Sequence, residues 1–172
     1  MSSSVFKLAL VSHCILNQAA RYWPPGARIE RPVFPLQIVS KLYEMEFSLL
    51  QLPCPELLFI GNPRSPYTRT EYERMEGFID HCRRLASESV SSIKRIIDLS
   101  IEPRVELAAV VGVERSPSCA VFKVPISSVY GRIYADGRGV FMSILEEELR
   151  AKGLHPRFLS VDFRANTIVE AP

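Results

Sequence analysis

The sequence predicts an α/β fold, a Rossmann-like small parallel sheet with helices on both faces and a site at the carboxyl ends of its strands. Three observations carry that reading. Short β-branched runs alternate with amphipathic helical stretches along the chain. The best strand, Val105 to Val113, is almost continuously apolar, as a strand covered on both faces must be. Three of the four cysteines, Cys14, Cys54 and Cys119, lie just past apolar runs, where strand leads into loop.

The first strand is expected from Val5 to about His13. The stretch Asn17 to Gly26 that follows contains Pro24, Pro25 and Gly26, which forbid regular structure. Pro35 opens a helix to about Glu46, since the first helical N–H needs no partner, and Leu36, Val39, Leu42 and Tyr43 share one face. Phe47 to Leu52 reads as a strand. Pro55, Gly61, Pro63 and Pro66 make residues 54 to 67 a shaped loop. Thr68 or Thr70 then caps a helix, with Glu71 and Glu73 favourably placed for its dipole.

Tyr72, Met75, Ile79, Cys82 and Leu85 continue that helix at three- and four-residue steps. Ser87 to Ser92 mark a bend or a new start before Ile93, Ile96, Ile97 and Ile101. After Cys119, residues 120 to 134 read as loop with a short hairpin. Gly137-Arg-Gly139 leads into a helix over Val140 to Lys152, stopped by Gly153 in the position that favours positive φ. Pro156 to Asp162 is the last strand.

At 172 residues the chain fits one domain over its whole length. A hydrophobic fraction of 47%, a charged fraction of 23% and a net charge of +2 are ordinary for a globular protein and give no argument for a nucleic-acid polymer as partner. The cluster Arg21, Arg28 and Arg31 either meets a small anionic or polar substrate or forms a solvated loop. No run of about 18 apolar residues exists, so no membrane span is expected. The opening Met1 to Val5 has no secretory pattern, and the expected location is cytoplasmic, as a monomer or homodimer. In a reducing compartment, four cysteines indicate metal binding or catalysis before disulfides.

Brought to one sheet edge, Cys14, Cys54 and Cys119 would form a thiolate-ligated metal centre or a thiol-based catalytic site. No C-x-x-C pair occurs, which argues against a zinc ribbon and a thioredoxin-type motif. Three thiolates on an iron–sulfur cubane would leave one iron without a protein ligand. Cys82 belongs to a helical apolar stripe and reads as a packed core thiol. Glu56, on the same loop as Cys54, suits general acid–base work in a partly desolvated pocket, or is a surface carboxylate. Ser116 and Ser118 offer hydroxyls on a proline-stiffened turn, to a substrate, to cluster sulfide or to the turn itself. His13 reads as structural, and His81 and His155 as exposed or capping. Gly139, at a helix N-terminus, offers an anion or carbonyl site.

The ordered set Ser12-His-Cys14, Cys54-Pro-Glu56, Ser116-Pro-Ser-Cys119 and Gly137-Arg-Gly139-Val140 resembles the thiouracil desulfidase (TudS-like) family. The first motif departs from the commoner family pattern of a small residue before the cysteine and a glycine soon after, which marks a divergent branch. The resemblance implies a 4Fe-4S cluster held by Cys14, Cys54 and Cys119, with the free iron taking up the sulfur of a small thiocarbonyl substrate; an exposed cluster of this kind is oxygen-labile. It implies catalytic roles for Glu56 and Ser116, and Ser12, Ser118 and Gly139 are the expected substrate contacts. Two rival readings stand beside it: a non-catalytic iron–sulfur or zinc-binding regulatory module, and a metal-free thiol-nucleophile enzyme.

Overall fold

The computed structural model describes residues 5–28 and 35–170; Arg31 of the arginine cluster lies outside them. A mixed sheet forms the centre. Strands β1 (Val5–Val11), β2 (Phe47–Gln51), β3 (Arg104–Val113) and β6 (Arg157–Asp162) run parallel, and β7 (Thr167–Val169) is antiparallel to β6. The order is β2-β1-β3-β6-β7. The chain therefore steps from β1 to β2 on one side, then crosses back past β1 to β3 on the other. The loops leaving β1 and β3 diverge at that reversal, which is where open α/β sheets place their sites.

Both faces of the sheet are covered. Alternate residues of β1 feed two separate cores: Leu8 and Leu10 pack with helices α4 (Arg69–Arg74), α5 (Phe78–Leu99) and α6 (Val140–Ala151), whereas Ala9 and Val11 pack with α2 (Leu36–Glu44). The register of β1 on β3 shifts between Leu8 and Ala9, which pair with Leu107 and Ala109. Ala108 is thus the extra residue of a bulge, and the alternation of faces resumes beyond it. A hairpin of β4 (Lys123–Ser128) and β5 (Gly131–Asp136) stands apart as its own two-stranded sheet.

Several elements differ from the sequence expectation. The first strand ends at Val11, and His13 opens a four-residue helix, α1 (His13–Leu16). Residues 55–60, expected in a loop, form helix α3 (Pro55–Ile60), capped by Cys54, with Pro55 in its first turn and Gly61 at φ +76° closing it. The Pro and Gly there are start and stop signals of one short helix.

Of the expected face of α2, Leu42 is buried and Val39 packs partly buried against the core, but Leu36 and Tyr43 are exposed and Ile38 takes a buried place instead. Met75 ends α4, and α5 runs unbroken through the serines, where Ser89 donates to the Leu85 carbonyl (2.7 Å) and Val90 and Ile93 carry the buried stripe onward. His81 is buried, not exposed; burial and the neighbouring Arg84 guanidinium hold its pKa below the usual range. Thr68 is the cap of α4, in a reciprocal box with Glu71. Strand β7 had no clear sequence signal.

Candidate functional site

Three thiols reach one cavity from three adjacent strands. Cys14 sits on α1, just beyond β1; Cys54 caps α3, just beyond β2; Cys119 lies in the loop between β3 and β4. All three line a cavity of about 330 Å³, small for a ligand site and large enough for a nucleobase-sized molecule. Cys54 and Cys119 are buried and Cys14 is half-buried. Cys82 lies wholly within the α5 core, away from the cavity.

The ends of the strands are tied together by backbone and side-chain bonds. Ser12 N donates to Val111 O (2.9 Å) and Leu52 N to Val11 O (2.8 Å), fastening β1 to both neighbours. His13 donates from Nδ1 to Leu52 O (3.0 Å), leaving Nε2 to accept from Asn17 Nδ2 (3.2 Å). His13 opens α1, not a strand end, and lines the cavity with its ring held by these two bonds. Cys54 Sγ accepts from Leu57 N (3.4 Å), a cap that orients the thiol.

The Cys119 loop folds back on its own strand, with Val113 N donating to Cys119 O (2.8 Å). A Cβ on Gly112 would fall 2.3 Å from that carbonyl oxygen, so only glycine permits the approach.

Burial raises the pKa of all three cavity thiols: Cys14 is pushed up to about 12, Cys54 is raised, and Cys119 is well above its ordinary value. The negative charge of Glu56 adds to the effect of burial at all three, and neighbouring thiolates add to it at Cys14 and Cys119. Ser12 Oγ is buried without a hydrogen-bond partner, close to the Cys119 thiol, whose ionised form it favours. Among the described residues, no three His, Cys, Asp or Glu side chains are gathered to hold one metal ion. Ligands of a single ion, about 2.3 Å from each sulfur, lie within about 4 Å of one another.

Glu56 is a buried carboxylate of the cavity, not a surface one. Its Oε2 accepts from Arg64 Nε (3.1 Å) and Tyr72 OH (3.3 Å), and its Oε1 from Ser116 Oγ at 3.5 Å. Ser116 Oγ also accepts from Ser118 N (3.3 Å) and Cys119 N (3.0 Å), so one hydroxyl both shapes the cysteine turn and meets the carboxylate.

Two expected substrate contacts lie elsewhere. Ser118 and Gly139 do not line the cavity. Ser118 is fully buried, and a Cβ on Gly139 would stand 2.3 Å from Ser118 C and 2.7 Å from Cys119 N. Gly139 brings the N-terminus of α6 against the backbone of the cysteine turn, which is a packing role.

Other cavity residues went unread in the sequence. Arg64, Arg115, Arg132 and Arg164 join Arg21 on the lining, against the carboxylates of Glu56 and Glu114. Arg64 is bound to Glu56 and Arg115 to Asp162, and Arg21 lies over the Phe163 ring at 4.4 Å. Arg132 and Arg164 enter no salt bridge among the described residues. Tyr22, Tyr67 and Tyr134 add aromatic surface. These residues come from separate loops and the hairpin, and no local motif announces them.

The fold and cavity define a class: an α/β protein with a three-thiol pocket at the carboxyl edge of its parallel strands. The chain belongs to the family whose model is described as "Putative 2-thiouracil desulfurase", which it matches over residues 6–160. It is also similar to an uncharacterized protein of Methanocaldococcus jannaschii, 28% identical over 117 residues that cover 68% of this chain and 69% of that protein. No solved structure matches. No helix among the described residues is long and apolar enough to cross a membrane.

Proposed function

We propose that the protein is a non-redox desulfidase that removes sulfur from a thiolated nucleobase or a similar small thiocarbonyl compound, using a 4Fe-4S cluster held by Cys14, Cys54 and Cys119. The observation that carries this reading is the presence of three thiols, one carboxylate and its serine partner on the lining of a single cavity. Three soft donors suit iron–sulfur ligation, and a cluster, whose irons each take one thiolate, spreads its ligands farther than a single ion does. Three thiols whose pKa values burial and the Glu56 charge all raise make poor free nucleophiles, and a cationic group would compensate them as thiolates. The same argument disfavours a metal-free thiol enzyme.

When bound, the cluster supplies a Lewis-acidic iron free of protein ligands, which polarises a C=S bond and accepts the sulfur as leaving group. The chain's own residues do the rest. Glu56 Oε1 takes a proton from the water that attacks the thiocarbonyl carbon and returns it to the departing sulfur, and the adduct's hydroxyl proton follows by the same route as the carbonyl forms. Ser116 Oγ, donating to that oxygen, orients the carboxylate or relays the proton. Thiocarbonyl and water give carbonyl and hydrogen sulfide, with no electrons exchanged. The tyrosines offer flat surface to a ring, and the excess of arginine over carboxylate on the lining favours a polar or anionic substrate.

The test is anaerobic sulfide release by the iron-reconstituted protein from a panel of thiolated bases. Glu56→Gln keeps the shape and removes the base, so turnover falls by about 10²- to 10⁴-fold while iron content stays unchanged. Equal rates would remove Glu56 from the mechanism. No release by fully reconstituted wild type would leave the regulatory module as the better reading.

A further inference from the structure

Arg64 is among the few charged side chains buried in this protein, and each of its side-chain nitrogens is bound to a different segment. Nε donates to Glu56 Oε2 (3.1 Å) on α3, Nη1 to Asn62 Oδ1 in the loop after α3, and Nη2 to Ala20 O (3.2 Å) in the 3-10 turn beyond Cys14. Its backbone N–H reaches Trp23 O (3.0 Å). Asn62 is held in turn, its Nδ2 donating to Ala19 O (2.9 Å) and Arg21 O (3.0 Å). The Cys14 wall and the Glu56 helix are thus fastened through one guanidinium.

The two carboxylate oxygens of Glu56 are treated differently. Oε2 takes both strong, buried partners, Arg64 and Tyr72. Oε1 has only Ser116, at 3.5 Å, the longest of the three contacts. A carboxylate pinned by one oxygen presents the other, and the rigid fork of an arginine fixes that orientation in a way a lysine ammonium does not.

We infer that Arg64 is a positioning residue for Glu56: it holds Oε2 so that Oε1 stays at Ser116 and faces the reacting water, and it locks that carboxylate to the wall that carries Cys14. The inference rests on the desulfidase reading for its catalytic consequence, though not for the geometry it asserts.

Arg64→Lys keeps the charge and loses the three-way fork. With reconstituted protein, its kcat for sulfide release falls about 10- to 100-fold, the usual cost of a misplaced catalytic group, and KM changes less than about threefold. The discriminating measurement is a double-mutant cycle. In a Glu56→Gln background, Arg64→Lys costs nothing further, because Arg64 acts through the carboxylate already removed. An equal fold-loss in both backgrounds overturns the inference, since a merely structural residue behaves that way.

A crystal structure of metal-free Arg64→Lys supplies a readout independent of activity. Glu56 displaced from Ser116 supports the inference, and Glu56 unmoved overturns it, even if the wild type releases no sulfide and the desulfidase reading falls. If the lysine variant does not fold, Arg64→Gln, which keeps a neutral donor but loses the charge and the fork on Glu56, takes its place, and the same cycle and crystal structure decide.

Discussion

At the scale of single residues, the cavity separates three of the four cysteines from the fourth. Serine in place of Cys14, Cys54 or Cys119 removes one soft donor of three, and each variant loses most of its iron after anaerobic reconstitution, whereas Cys82→Ser retains it. Iron and acid-labile sulfide per chain measure this; loss of iron in the Cys82 variant would mean a different ligand set. Cys14, Cys54 and Cys119 could be singled out in the sequence because each follows an apolar run, and strand ends of a parallel sheet share an edge. Glu56 was legible through its nearness to Cys54. Arg64 was not: it stands eight positions beyond its partner, across a loop, and only the turn of the chain brings them together. Ser118 lies between two cavity residues in sequence, yet it is buried behind them and does not line the cavity.

Among the elements, α6 is the one whose placement the site depends on most directly. A methyl group on Gly139 would meet the backbone of Ser118 and Cys119, which has no flexible end to swing aside. Gly139→Ala is therefore expected to destabilise the fold by about 2 kcal/mol or more, in the range of overpacking at a buried contact. It should also impair iron retention although Gly139 touches no ligand side chain. Thermal melting and iron content read both effects, and a variant that melts and binds iron like the wild type would show that α6 can retreat freely. The helix itself was legible from its apolar spacing and Gly153. The short helix α3 was not, because four Pro and Gly residues in one stretch look like loop chemistry when two of them in fact mark the two ends of a helix. The serines of α5 misled similarly: they lower intrinsic propensity, but the buried Val90 and Ile93 on the opposite stripe outweigh them.

For the molecule as a whole, the buried thiols set a direction for stability against pH. The Cys82 thiol is pushed up from its ordinary 9.0 to about 12 by burial in the α5 core, with the Glu56 charge adding to it. Below pH 9 the thiol is protonated in both folded and unfolded chains, and its contribution is fully present. As pH rises from about 9 towards 12, the unfolded chain ionises while the folded one does not, so stability is lost across that window. Melting temperatures of the metal-free protein should fall over that range, and Cys82→Ala should fall less steeply from its own starting value. Parallel slopes for the two proteins would show that Cys82 does not titrate on unfolding. The sheet, its parallel sense and its two covered faces were readable from the continuous apolar character of β3. The isolated hairpin was only partly so, and β7 not at all, since three residues carry too little pattern to distinguish strand from loop.

The unequal anchoring of the three thiols sets an order for building and losing whatever they hold. Cys119 is clamped between its own strand and α6, and Cys54 is fixed as a helix cap, so both are in place before any inorganic group arrives. Cys14 rides on a four-residue helix and is the one cavity thiol left half-buried. On the proposed cluster, Cys14 is therefore expected to be the door of the site, its bond the last made on loading and the first broken on exposure to air.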